Sequence, residues 1–446
     1  MLSLIGFATI LTIVFLLIKG KVSPIIAMVL IPVIGAFAAG YGFSEIGEFF
    51  NQGIDQVINV AVMFVFAILF FGVMQDAGLF DPLINKMIAL SKGNIIAICV
   101  ATVLIAALAQ MDGSGASTFL ITIPAMLPLY KRLNMDPYLL LLLIAGSAAI
   151  MNMTPWAGPL GRTASVLNID VTELWYPLIQ MQIIGMVLMI GLAVFLGFRE
   201  RRRIKERFGH QVSFQESAAA LEESTEEMEK GDGKASFTEN SLARPNLIWL
   251  NALITIGVVA VLVSGIIPAG FAFMIGLSIA LLVNYPKLKD QTERIKAHAS
   301  SALTMATIIL AAGSFLGILT GSGMLDAMAE DGVAVMPDAV GSYLHLIIGL
   351  LGVPFDLLLS TDAYYFALLP VVEQIASGFG TDPLSTAYAM IIGNIVGTFV
   401  SPLAPAVWLA LGLSGLEMGR HIKYSLPWLW GLSIVLLIIG VLIGVV

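Results

Sequence analysis

The chain has 446 residues, 58% of them apolar and only 12% charged, with a mean hydropathy of +0.95 and a formal net charge of −8. A soluble domain carries roughly a quarter charged residues, so water is excluded as the solvent for most of this chain. The single cysteine, Cys99, excludes an intramolecular disulfide and a thiolate metal cage, the four histidines lack metal-ligand spacing, and nothing resembles a nucleic-acid-binding patch.

In chain order, apolar segments fall near 2–18, 22–41, 57–75, 94–130, 137–167 and 175–198. Near-uncharged stretches of about 17–25 residues cross a hydrocarbon core of ~30 Å as helices. They are continuous rather than alternating, which favours helices over a transmembrane barrel. The first has no basic residues ahead of it and no small-residue cleavage motif, and reads as a retained helix rather than a signal peptide. A hydrophilic stretch, 199–245, opens Arg199-Glu200-Arg201-Arg202-Arg203 and turns Glu-rich from Glu216 to Asp232. It buries too little apolar surface to fold alone and is expected to be a cytoplasmic linker. Apolar segments resume near 246–265, 267–285, 301–320, 341–375, 384–412 and 425–446.

The two sets share landmarks. Phe70-Phe71-Gly72 parallels Phe315-Leu316-Gly317, and Gly78-Leu79-Phe80-Asp81 parallels Gly323-Met324-Leu325-Asp326, at an offset of 245. Pro124 pairs with Pro370 and Asp136-Pro137 with Asp382-Pro383 at 246, and Pro155 and Pro159 pair with Pro402 and Pro405 at 247 and 246. Internal repeats of this kind are a transporter signature. With single spans alternating and 94–130 and 341–375 returning to the side they entered, one face collects Lys19, Lys86, Lys131, Arg132, Arg199–Arg203, Arg244, Lys287, Arg294, Arg420 and Lys423. The other holds Glu45, Glu48, Asp55, Glu173, Glu330 and Asp338. The positive-inside rule then places both termini outside the cell membrane. Five crossings per half, an odd number, make the repeats inverted. The predicted fold is an all-α polytopic membrane protein: a first inverted repeat at 1–198 and a second at 246–446, each with five transmembrane helices and one re-entrant hairpin. The hairpins are 94–130 and 341–375, and 137–167 and 384–412 are broken helices.

Segment 94–130 is apolar except at its middle, Gln110-Met111-Asp112-Gly113-Ser114-Gly115-Ala116-Ser117-Thr118. About 37 residues are short for two full spans and a turn, so a hairpin with this loop at its tip fits better. Irregular backbone at that depth must face protein or a water-filled cavity. Its glycines admit a ligand close to backbone amides, and an outgoing helix starting near Ser117 would aim free N–H groups at an anion. Ser360-Thr361-Asp362-Ala363 stands at the equivalent place, 246 positions on. The following helices are interrupted at Asn152-Met153-Thr154-Pro155-Trp156-Ala157-Gly158-Pro159 and at Gly397-Thr398-Phe399-Val400-Ser401-Pro402-Leu403-Ala404-Pro405. Paired prolines free carbonyls for cation coordination. Four polar breaks are expected to converge near the midplane.

Asp112 and Asp362 read as proton carriers or cation ligands, against helix N-caps in a packed tip. Arg162 reads as a bidentate clamp for a carboxylate, against an arginine snorkelling to the interface. His345 and Asp356 lie on the entering arm of the second hairpin, and His345 reads as a satisfied interior histidine. Gly440 and Gly444 form a GxxxG pattern that is weak support for a dimer face. Substrate contacts are expected from Ser114, Gly115, Ser117, Thr118, Asn152, Thr154 and Gly158. Arg162, Ser360, Thr361, Thr398 and Ser401 complete the expected set.

Asp112-Gly113-Ser114-Gly115-Ala116-Ser117-Thr118 followed by Ala125-Met126-Leu127-Pro128-Leu129-Tyr130 resembles the metal–citrate:proton symporter family, CitMHS. Phe71-Gly72-Val73-Met74, Gly78-Leu79-Phe80-Asp81-Pro82 and Pro155-Trp156-Ala157-Gly158-Pro159 with Arg162 are similar to it as well. The likeness covers the N-terminal part well, and the C-terminal part follows through the repeat. It implies secondary transport of citrate or a related di- or tricarboxylate coupled to protons, often as a complex with Mg²⁺ or Ca²⁺. In that case Asp112 and Asp362 would also hold the co-transported metal, with no permanently bound cofactor. It further implies the ion-transporter superfamily, whose members are typically homodimers with an elevator-like motion. The expected function is therefore a carboxylate symporter. The alternatives are a cation/proton antiporter of related architecture, a passive channel, and an intramembrane hydrolase using Ser114 or Ser117 with Asp112 but lacking a nearby histidine base.

Overall fold

The computed structural model describes residues 1–19, 22–90, 94–208 and 242–446, and among these it is all-helical. Helix α1 spans Leu2–Ile18, α2 Pro24–Ala38, α3 Phe43–Asp76 and α4 Asp81–Leu90. Helix α5 (Ile95–Ala109) tightens into a 3-10 turn (Gln110–Asp112), and α6 (Gly115–Arg132) leads away from it. Helices α7 (Pro137–Met151) and α8 (Gly158–Leu167) flank an irregular stretch, and α9 covers Val171–Phe208. A parallel order follows: α10 (Ile248–Ser264), α11 (Ala269–Asn284), α12 (Leu288–Gly321) and α13 (Met324–Val335). Three short pieces, α14 (Asp338–Gly341), α15 (Leu344–Leu350) and α16 (Gly352–Asp356), precede a π-helical turn (Ala363–Leu368) that runs into α17 (Leu369–Gly378). Helices α18 (Pro383–Ile395), α19 (Pro405–Ser414) and α20 (Met418–Leu442) complete the chain.

Among the described residues, Phe43–Asp76, Ile95–Asp112, Val171–Glu206, Pro245–Ser264, Leu288–Gly321 and Met418–Leu442 are long and apolar enough to cross a membrane. Leu4, Leu11, Ile34, Trp249, Leu253 and Ile256 are exposed while Asp112, Arg162, Asp356 and Asp362 are buried. That inside-out distribution suits a lipid solvent, and the chain is a multi-pass membrane protein.

Local chemistry sets several boundaries. Asp136 caps α7 by accepting from the Tyr138 amide at 2.9 Å, and Asp382 caps α18 by accepting from Leu384 at 3.1 Å. In both, proline occupies the first helical position, where its missing N–H costs nothing. Glu45 accepts from the Gly42 amide at 2.8 Å and fixes the start of α3.

Helices α3 and α12, each 34 residues long, cross along their length in opposite directions. Glycines make the approach possible: a Cβ on Gly53 would lie 2.0 Å from the Gly313 carbonyl oxygen, and one on Gly317 2.2 Å from that of Phe49. At the other end of the crossing, Asp76 accepts from Arg294 at 3.1 Å and meets His298 at 2.8 Å.

The structure departs from the sequence reading in several places. Helices α3 and α12 begin well before 57 and 301, because their first turns are amphipathic helix formers that apolarity alone passes over. The short α4 and α13 had no counterpart in the apolar segments, being too polar to stand out. Helix α9 continues through Phe208, so the start of the charged stretch is helical. Glu200 accepts from the Asp136 amide at 2.6 Å and pairs with Arg203, and Arg202 pairs with Glu206 one turn on. The Glu-rich run 216–232 lies outside the described residues. Near its end the charged stretch is docked: Arg244 donates its amide to the Ala77 carbonyl and its Nε to that of Asn284, both at 2.9 Å. Gly440 is buried against Ile392 and Met181, while Gly444 is exposed with φ +73° beyond the end of α20, so the two glycines do not share one helix face.

Candidate functional site

In the first hairpin the break is a capped turn. Gly113 adopts φ +73°, a left-handed conformation that glycine reaches without steric cost, and Ser114 is extended. The Asp112 carboxylate accepts from the Ser114 amide at 2.8 Å, and the Ser114 hydroxyl accepts from the Ser117 amide at 3.5 Å. Helix α6 therefore starts at Gly115, not near Ser117, and the Ser117 N–H is taken by its own N-cap. Gln110 holds the tip to the neighbouring break: its Nε2 donates to Asn152 Oδ1 at 2.7 Å, and its Oε1 accepts from the Thr118 hydroxyl at 2.5 Å. Trp156 Nε1 donates to the Met111 carbonyl at 2.8 Å, a second tie between tip and break. With its 3-10 turn the incoming arm has 18 residues, long enough by composition and length to cross a membrane.

The second hairpin is less regular than expected. Its entering arm is cut at Ser342-Tyr343 and Leu351, where the chain presses on α18: a Cβ on Gly349 would lie 2.6 Å from the Ala389 oxygen, and one on Gly352 2.5 Å from the Gly393 carbonyl carbon. Ser360 accepts from the Ala363 amide at 3.2 Å and caps the outgoing segment; Thr361 is half-buried beside it. Across the seam, Ser401 donates its hydroxyl to the Asp356 main-chain oxygen and Asn394 Nδ2 donates to the Gly352 carbonyl at 3.1 Å; within the second break the Thr398 hydroxyl donates to the Ile395 carbonyl at 2.8 Å.

Two further contacts join these groups across the length of the sequence. Arg162, on α8, donates from Nε at 2.8 Å and Nη2 at 2.7 Å to Asp362 Oδ1, 200 positions away, and both residues are buried. Phe399 of the second break meets Gly115 of the first tip and stacks edge-on with Phe119 at 5.5 Å. The four polar breaks thus form a closed ring: first tip to first break, first break to second tip, second tip to second break, and second break to first tip.

Arg162 does not reach an interface as a snorkelling arginine would; its charge is spent inside on Asp362. Gly158 lies directly against it, a Cβ there falling 2.2 Å from Arg162 Nη1. Thr154 is buried in the same break with no partner for its hydroxyl. His345 is not satisfied as read from the sequence: its Nδ1 is buried without a partner. Sequence reasoning also passed over Gln110, which stood in the quoted loop but was given no role, and the Asp356–Asn394 pair. Counting 246 positions from Gln110 leads to Asp356, the signal that could have linked them. A cavity of about 630 Å³, lined in part by Gln56, Asn59, Asn168 and Asp170, opens beside the C-terminal end of α8.

The profile of the citrate transporter family, CitMHS, matches residues 5–393. A citrate transporter of Bacillus subtilis (strain 168) is 37% identical over the full length of both chains, and the same organism's Mg²⁺/citrate complex secondary transporter is 38% identical over all of this chain and 99% of that one. The uncharacterized transporter YraO of B. subtilis is 35% identical over 100% and 99% of the two chains. Among solved structures, the YdaH transporter of Alcanivorax borkumensis, described as having an unusual topology, shares the fold with a TM-score of 0.56 at 16% identity, covering 90% of each chain. These relatives are transporters, which sets the hydrolase reading aside. With a closed ring of polar breaks inside an all-helical multi-pass frame, and a family match over most of its length, this chain belongs to the CitMHS family of citrate transporters.

Proposed function

We propose that the protein is a secondary active symporter that carries citrate as a divalent-metal complex, driven by the proton gradient. The observation that carries the reading is the buried Arg162–Asp362 pair, placed where the first break meets the second hairpin tip. A metal–citrate complex presents both a carboxylate and a cation. Arg162 is the group to receive the carboxylate, and Asp362 the group to receive Mg²⁺ or Ca²⁺. An internal pair of the same two charges holds the site neutral until that cargo exchanges with it. Free citrate would leave Asp362 unpaired in a buried place and a free metal ion would leave Arg162 so, which disfavours either alone. Asp112, already hydrogen-bonded to the Ser114 amide, adds to the cation side, and the unpartnered Thr154 hydroxyl is free to meet the cargo.

The inverted-repeat reading, 1–198 against 246–446, draws support from α3 and α12, equal in length and running in opposite directions. On this reading both termini lie outside and the charged stretch is cytoplasmic. The family likeness adds a homodimer and an elevator-like movement of the ring against its frame. The test is uptake of labelled citrate into proteoliposomes with and without Mg²⁺ or Ca²⁺, under an imposed pH gradient. Uptake should require metal and follow the gradient. Citrate that fails to enter with either metal refutes the cargo, and uptake indifferent to the gradient refutes the coupling.

A further inference from the structure

Asp112 and Asp362 both make contacts that suit an ionised carboxylate: a backbone amide in one case, a guanidinium in the other. Asp356 is different. It ends α16, is 1% exposed, and its Oδ2 has no hydrogen-bond partner. Among the described residues no arginine, lysine or histidine lies within ion-pair distance of it. Asn394 faces it from α18, and Asn394 Oδ1 is itself buried without a partner, while the Nδ2 of the same amide is committed to the Gly352 carbonyl. Turning the amide over would lose that bond. Asp356 Oδ2 and Asn394 Oδ1 are therefore both left without a hydrogen-bond partner in one buried seam, beside Gly397, where a Cβ would lie 2.5 Å from Asp356 Oδ2.

A single proton on Asp356 Oδ2 removes the charge and turns an unpartnered acceptor into a donor beside Asn394. The repeat points the same way. Asp356 stands 246 positions after Gln110, and Gln110 is a neutral side chain, both donor and acceptor, that ties the first tip to Asn152. A protonated carboxyl has the same capacities as that amide; an ionised one does not. The titratable side chains near it are Tyr364 and Tyr365 of the π-helical turn, and Arg162 lies beyond Tyr365. On α20, His421 meets the Phe399 carbonyl at 3.0 Å.

We infer that Asp356 is the group that carries the transported proton, with Asn394 as its hydrogen-bond acceptor in the closed seam. When water reaches the seam on the alkaline side, the O–H bond on Oδ2 breaks, the proton passes to water and the carboxylate stays hydrated. Closing the seam again requires a proton from the acidic side, because the ion cannot be buried there unpaired. The inference rests on the proton-driven reading above.

The experiment compares the wild type with Asp356→Asn, whose amide stands in for the protonated carboxyl, in proteoliposomes loaded with Mg²⁺ and citrate. Wild type should show gradient-stimulated uptake. In D356N exchange of external labelled for internal unlabelled citrate should persist, while stimulation by the pH gradient falls to onefold. Gradient stimulation in D356N equal to wild type overturns the inference and leaves the proton-driven reading standing. No stimulation in the wild type removes that reading, and the inference with it. If D356N is not recovered folded, Asp356→Glu decides: a displaced pH profile of driven uptake supports the role, and an unchanged profile overturns it.

Discussion

Substituting Gly158 by alanine tests the geometry of the Arg162–Asp362 pair without touching either charge. An alanine Cβ there would sit 2.2 Å from Arg162 Nη1 and 3.4 Å from Cζ. Contact at van der Waals separation requires the guanidinium to retreat by roughly 1.2 Å or more. Its bonds to Asp362 now measure 2.7 and 2.8 Å, so a retreat away from the carboxylate carries them past the range of a useful hydrogen bond. Losing a charge-assisted contact costs about 1.5–3 kcal/mol, below the ~3–5 kcal/mol for removing one partner of a buried pair outright. The expected result is an apparent Tm lower by a few degrees, read from tryptophan fluorescence of detergent-purified protein. Gly431→Ala, a site with open space around it, is the control. In an Asp362→Asn background there is no pair left to disturb, so Gly158→Ala should cost under about 0.5 kcal/mol from that baseline. Equal losses in the two backgrounds, or a Tm matching Gly431→Ala, would refute the reasoning.

The remaining predictions concern the frame and the ties between breaks. Gly53→Ala places a methyl 2.0 Å from the Gly313 oxygen and should cost about 1–3 kcal/mol or more, seen as a lower Tm and loss of monodisperse protein; Gly47→Ala, with open space, should be neutral or slightly stabilising. Gln110→Leu strands Asn152 Oδ1, at about 1–3 kcal/mol for an unpaired buried group, while the Thr118 hydroxyl keeps the Ser114 carbonyl at 3.1 Å; both Tm and citrate uptake should fall. Glu200→Ala removes the acceptor for the Asp136 amide and the partner of Arg203; Tm should fall while the uptake rate per folded molecule stays at the wild-type value, and a fall in uptake alone would contradict a purely structural role.

What depends on near neighbours and on solvent was legible along the chain. A chain this apolar must satisfy its backbone within helices, so the apolar runs located most of the helices. Asp-Pro at 136 and at 382, legible as landmarks of the repeat, stand at two helix starts, where a cap acts over two or three residues. The polar breaks were legible for the same reason: glycine, proline and hydroxyl residues at membrane depth declare irregular backbone wherever they fold. The outgoing helix, expected to start near Ser117, starts at Gly115 with Ser114 as its cap.

Which buried charges meet one another emerges only once the helices are packed. Arg162 and Asp362, each legible as a polar residue in an apolar setting, lie 200 positions apart, and no periodicity relates them. Sequence could offer Arg162 to a ligand and Asp362 to a cation, yet not pair them. Asp356 shows the converse: its interest lies in partners that are missing, Oδ2 and the facing Asn394 Oδ1, and a missing partner exists only once the seam around it is closed. Helices bring their own hydrogen bonds wherever they go, so sequence can locate them singly. Buried charges must find theirs in space, and that is why the site waited for the fold.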